Sequence, residues 1–118
     1  MSGRTSQAKG RTAERELAKI FQNYGYDVRP GVPVSFGTEP DLCGLDGIHI
    51  ECKRAEQLRL SEWMTQAAAD SVKFGDGLPC VFHRRNRESW RVTMALGDWL
   101  ELYRSYQPPE DSNHNGRR

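Results

Sequence analysis

Apolar residues first recur at helical spacing. Ala13, Leu17, Ile20, Phe21 and Tyr24 form one stripe. The spacing predicts a first helix beginning near Thr12 as N-cap and ending at Gly25. Tyr26-Asp27-Val28-Arg29 then alternates like a short strand, and Pro30 to Pro40, with three prolines and two glycines, reads as a loop. Asp41 to Leu45 opens a hairpin turned at Asp46-Gly47. In the strand that follows, Ile48, Ile50 and Cys52 alternate with His49, Glu51 and Lys53, so Glu51 and Lys53 share a face. Ser61 is placed to cap a second helix running to about Phe74, with Trp63, Met64, Ala67, Ala68 and Val72 inward and Gly75 and Gly77 beyond its end. Pro79 to Phe82 and Trp90 to Met94 read as further strands. A short last helix, Gly97 to Tyr106, would turn Trp99, Leu100 and Tyr103 inward. This order predicts an α/β fold, a mixed central sheet flanked by helices.

Length makes this one domain. Its 118 residues divide into a flexible basic N-terminus (1–8), a folded domain (9–106) and a polar tail (107–118) expected to be disordered. Hydrophobic residues make up 36% and charged ones 28%, with no apolar run of membrane-spanning length. The polar start, MSGRTSQAKGR, lacks the apolar stretch of a secretory signal. Cys43, Cys52 and Cys80 are odd in number and form no CxxC pair, which favours small core residues in a reducing, cytoplasmic setting over a zinc site.

Seventeen basic residues face sixteen acidic ones, and the formal charge of +1 alone argues against a nucleic-acid partner. The distribution reverses that. Five basic residues meet two acidic ones over 1–20, and four meet one over 83–91. Between them, over 38–62, six acidic residues meet three basic ones. Thirteen of the basic residues are Arg, the side chain that grips phosphate bidentately.

The acidic centre carries the candidate chemistry. The Asp46-Gly47 turn folds Asp41 back beside Glu51. Carboxylates on facing strand positions have Cβ atoms about 5 Å apart and repel each other unless a cation lies between them. Oxygen ligands without His or Cys suit Mg²⁺ or Mn²⁺. Lys53, on the same face, is placed to contact a phosphate or to orient and deprotonate an attacking water.

Glu39-Pro40-Asp41 followed by Glu51-Cys52-Lys53 resembles the PD-(D/E)xK nuclease signature. Lys9-Gly10-Arg11-Thr12-Ala13-Glu14-Arg15-Glu16-Leu17 resembles the KGxxAEREL opening of the archaeal-type Holliday junction resolvases, and Gly25 to Arg29 their GFxVxR strand. Ser35 falls in their serine-bearing loop. Phe74-Gly75 with Leu78-Pro79, and then Trp90, are similar to their later FG..P and WxF segments. The resemblance covers roughly residues 9–95 and implies a restriction-endonuclease-like fold. It also implies a homodimer and divalent-metal cleavage of branched DNA, such as four-way junctions, in a phage or prophage setting. It implies Glu14, Asp41, Glu51 and Lys53 as catalytic residues, with Asp41 and Glu51 binding metal directly and Glu14 through water. Helix geometry alone leaves Glu14 and Glu16 equivalent, each about 80° from the stripe. Lys9, Arg11, Arg15, Ser35, Arg54, Arg84 and Arg85 are the candidate DNA contacts.

Other residues keep two readings. Gln66 is either a polar neighbour of the metal site or a solvated helix residue. His49 is a packing histidine or a base beside the nucleophile, with packing preferred. His83 groups with Arg84 and Arg85 as a backbone-contacting cluster, and His114 is inert in the tail. Trp63 and Trp99 belong to the core or a dimer interface. Residues 96–106 depart from the resolvase pattern of a longer apolar C-terminal strand. Alternative functions are a flap, nicking or restriction-like nuclease, or a non-catalytic DNA-binding accessory protein.

Overall fold

The computed structural model describes residues 2–31, 33–34, 37–38 and 40–110, giving the backbone alone for 2–9, 33, 34, 37 and 38. Helix α1 (Ser2–Asn23) is followed by the short strands β1 (Arg29–Pro30), β2 (Pro33–Val34), β3 (Gly37–Thr38) and β4 (Leu42–Cys43). Then come β5 (Ile48–Arg54), α2 (Leu60–Phe74), β6 (Leu78–Arg84), β7 (Arg91–Met94) and α3 (Leu96–Arg104). Five strands form a mixed sheet in the order β1-β4-β5-β6-β7, and β2 and β3 form a separate hairpin inside the predicted loop. The β5–β6 pair is parallel and the other pairs in the large sheet are antiparallel. The α/β architecture expected from the element order is therefore present.

Strand β5 is the centre of the molecule, and its alternation divides two cores. Ile50 and Cys52 join Ala13, Leu17 and Ala18 of α1, with Val28 and Leu42, in one cluster. On the opposite face, Val81 of β6 joins Trp63 and Ala67 of α2. The polar residues of β5 point to this second face, yet they are not solvated: α2 covers them, leaving His49 1% and Glu51 2% exposed. A strand with helices on both sides buries both of its faces.

Several boundaries differ from expectation. Helix α1 begins at Ser2 rather than near Thr12. The apolar stripe locates only the packed part of a helix, and Gln7, Ala8, Lys9 and Arg11 all have the propensity to extend it. Ser61 does not cap α2. Arg59 is the N-cap, without a side-chain cap hydrogen bond, while Gly75 closes the helix in the left-handed conformation. The inner face of α2 is Trp63, Ala67 and Ser71, whereas Val72 is 82% exposed and Ala68 lies outside. In α3 none of the expected inward residues is buried. Trp99, Leu100 and Tyr103 are all exposed, and Trp99, Tyr103 and Tyr106 stack on one another along the surface. The helix satisfies its aromatic residues within itself rather than against the sheet. The tail prediction is described only over 107–110, which are exposed and without regular structure; 111–118 lie outside the described residues.

Candidate active site

Glu14, Asp41, Glu51 and Lys53 come together although they stem from two elements, α1 and β5, and the start of a third, β4. The two-residue turn at Asp46-Gly47 pairs Leu42 with Ile50, which sets Asp41 at the position facing Glu51. The backbone N–H of Cys52 donates to the Asp41 carboxylate. Lys53 Nζ lies 3.7 Å from Glu51 Oε2 and donates to Gln66 Oε1 at 3.0 Å. Gln66 is thus turned toward the site, and one helical turn further Asp70 follows it. Asp70, Glu51 and His49 each bring a ligand atom within 4.8 Å of the others.

Helix α1 separates its two glutamates. The Glu14 carboxyl is pushed up from its ordinary value to about 7, first by burial and then by the Asp41 charge, with Glu51 adding to it and Arg11 and Arg15 opposing. Burial and Glu51 likewise raise Asp41, against Lys53. Glu16 belongs elsewhere. It accepts both Arg84 Nε (2.9 Å) and Nη2 (3.0 Å), and also Trp90 Nε1 (2.8 Å), contacts that hold its pKa low. The two residues flank the apolar stripe on opposite sides, so one meets the β4–β5 carboxylates and the other the β6–β7 end of the sheet.

Asp41 and Glu51 raise Glu14, and Glu51 raises Asp41; carboxylates crowded in this way favour a cation among them, and hard oxygen donors match a divalent ion such as Mg²⁺. Glu14, Asp41 and Glu51 could hold it. The raised Glu14 pKa means that the metal-free fold favours the protonated form. Glu14 therefore adds stability at low pH and loses it as pH rises from about 4.5 to about 7. In EDTA at pH 8, Glu14→Gln should then stabilise the protein by about 1 kcal/mol, discounted for solvent screening, or roughly 4 °C in Tm. The gain should vanish near pH 4.5. Thermal melts at the two pH values check this, and a variant less stable than wild type at pH 8 contradicts it.

The remaining candidates are scattered. Arg11 and Arg15 are exposed on α1 beside Glu14. Arg54 donates to Asn86 Oδ1, and its buried Nε has no partner. Arg84 is committed to Glu16, with its side chain 13% exposed, while the more open Arg85 pairs with Glu88. His83 leaves the basic cluster altogether: it is buried, with Nε2 2.8 Å from Thr93 Oγ1 and its ring against Trp63. Burial, helped by Arg91, lowers its pKa. Ser35 and the Lys9 side chain lie outside the described residues. Cys52 and Cys80 are core residues, with burial raising both thiols, Cys80 to about 11.

Sequence reasoning missed Asp70 and Asp76. The i, i+4 spacing of Gln66 and Asp70 on one helix face was a usable signal. Asp76 had none, because its partner is 27 positions away. His49 Nδ1 sits 3.0 Å from each Asp76 oxygen and Nε2 3.0 Å from Glu51 Oε1. Burial lowers the His49 pKa, but these hydrogen bonds and charges outweigh it, and the net shift is upward.

A mixed α/β sheet that brings Asp41, Glu51 and Lys53 together on adjoining strands is the architecture of the PD-(D/E)xK nucleases. Comparison with family models agrees: residues 5–112 match the family described as "Phage putative PDDEXK endonuclease", and the chain belongs to that family. No curated protein matches the chain. Among the described residues, no helix is long and apolar enough to cross a membrane.

Proposed function

We propose that this protein is a Mg²⁺- or Mn²⁺-dependent DNA endonuclease, selective for branched DNA in the manner of a Holliday junction resolvase. The observation that carries the catalytic reading is the convergence of Glu14, Asp41 and Glu51 with Lys53. Asp41 and Glu51 would hold the ion directly and Glu14 through water. When bound, the ion polarises the scissile phosphate and acidifies the attacking water. Lys53, steadied by Gln66, donates a hydrogen bond to a phosphate oxygen and stabilises the charge that builds there.

The DNA backbone would be held by Arg11 and Arg15 on α1, and Lys9 and Ser35 remain candidate contacts from the sequence. It would continue along a cleft of about 610 Å³ lined by Lys53, Arg54 and Arg59. Such contacts read phosphate rather than base sequence and make binding salt-sensitive. Arg85 would extend them, whereas Arg84 serves through its clamp on Glu16. Branched-DNA selectivity and a homodimer rest on the resolvase-like Lys9–Leu17 and Gly25–Arg29 segments. The exposed aromatic ladder of α3 supports the dimer as a surface that a second copy would cover.

The test is cleavage of labelled four-way junctions, flaps, nicked and linear duplexes with Mg²⁺ or Mn²⁺. Paired symmetric nicks confined to junctions are expected. Cutting of every substrate would reduce the reading to a general nuclease, and binding without cutting under either metal would overturn the enzyme reading. Sedimentation analysis of the full chain reads the dimer directly.

A further inference from the structure

We propose that Asp76 and His49 form a positioning chain that fixes the carboxylate of Glu51 for cation binding, an inference that rests on the metal-nuclease reading above. His49 stands two residues before Glu51 on β5 and shares its face. The imidazole is held on three sides. Nε2 is 3.0 Å from Glu51 Oε1, Nδ1 is 3.0 Å from both oxygens of Asp76, and the Phe74 ring lies parallel to it with centroids 6.4 Å apart. With His49 1% and Glu51 2% exposed, water does not compete for these bonds.

The anchor at the far end is set by the fold. Asp76 occupies the turn between α2 and β6, directly after the left-handed Gly75. The next residue, Gly77, approaches the backbone of Gly47 and Ile48 so closely that a Cβ would collide with it. The Asp76 carboxylate is thereby brought to the start of β5, where His49 lies. The chain engages Glu51 through Oε1 and leaves Oε2 facing Lys53. A glutamate free to rotate would lose that orientation, and groups that orient a metal ligand in this way commonly change affinity 10- to 100-fold when removed. Asp76 and His49 touch neither substrate nor metal in this account.

The experiment is Mn²⁺ binding to the metal-free full-length protein, by calorimetry and by electron paramagnetic resonance, alongside thermal melts. Asp76→Ala should weaken Mn²⁺ binding about tenfold or more. Asp76→Asn, whose amide oxygen still accepts from Nδ1, should restore most of it. His49→Gln, which keeps a donor toward Glu51, should lie between wild type and His49→Leu. A merely structural role would move the melting temperatures without this order of affinities. The proposal is overturned if Asp76→Ala binds within twofold of wild type while Glu51→Ala loses binding. It is overturned equally if Asp76→Asn is as weak as Asp76→Ala, or if a nitrogen hyperfine coupling marks His49 as a ligand itself. Wild-type protein that binds no Mn²⁺ would remove the metal reading and this inference together, a result distinct from the others.

Discussion

Lys53→Ala is expected to lower phosphodiester cleavage by about 10²- to 10⁴-fold while leaving DNA and metal binding close to wild type. Lys53 is 26% exposed at the side chain, so its charge is available to substrate, and its two contacts within the protein, Gln66 and Glu51, aim it rather than neutralise it. Losing it removes a donor that acts on developing charge, so the defect falls on the chemical step. Lys53→Arg is not expected to rescue, because a planar fork cannot occupy the position of a compact ammonium between those two partners. Glu51→Ala should differ in kind, losing both cleavage and Mn²⁺ affinity, because it deletes a proposed metal ligand and strands His49 against Asp76. Single-turnover cleavage at saturating metal, with anisotropy for DNA binding, separates the two. Cleavage within tenfold of wild type in either variant would sink the site assignment.

Gly77→Ala should destabilise the fold by about 3 kcal/mol or more. Gly77 has φ +132°, and a Cβ there would run into Gly47 and Ile48 backbone atoms, which cannot swing aside as a side chain could. The same approach permits Leu78 N–H to donate to the Gly47 carbonyl at 2.8 Å, the bond that starts β6 in register with β5. Moving Gly77 would disturb the parallel pairing and carry Asp76 away from His49. Gly47→Ala is the contrast: φ is +82° but the space is open, so about 1 kcal/mol of conformational strain is the whole cost. Urea unfolding followed by circular dichroism compares them, and equal losses in the two variants would refute the collision argument.

What was legible in the residues was local. The Asp46-Gly47 turn and the period-two run through Ile48–Lys53 are short-range features, and together they suffice to bring Asp41 opposite Glu51 with Lys53 on the same face. Of the stripe Ala13, Leu17, Ile20, Phe21 and Tyr24, Ala13, Leu17 and Phe21 meet the sheet, whereas Ile20 and Tyr24 are exposed at its edge. Helix faces without a sharp stripe were read less well. In α2, the spacing made Val72 look buried, yet the helix is turned so that Ser71 is inward, Gln66 reaches Lys53 and Asp70 comes beside Glu51 and His49. In α3, strong apolarity stood for burial where the aromatic rings instead stack on one another at the surface.

By itself, then, the sequence determined the α/β order, the central hairpin and the placing of Asp41, Glu51 and Lys53, because turns and periodicities act over a few residues. Only the tertiary structure decided between Glu14 and Glu16, because that depends on which flank of α1 faces β4 and which faces β6. Only it committed Arg84 to Glu16 and joined Asp76 to His49, since those partners are far apart in the chain. The burial of Glu51 was decided in the same way: a period of two shows which residues share a face, but the charge is buried because α2 crosses over that face and packs on it.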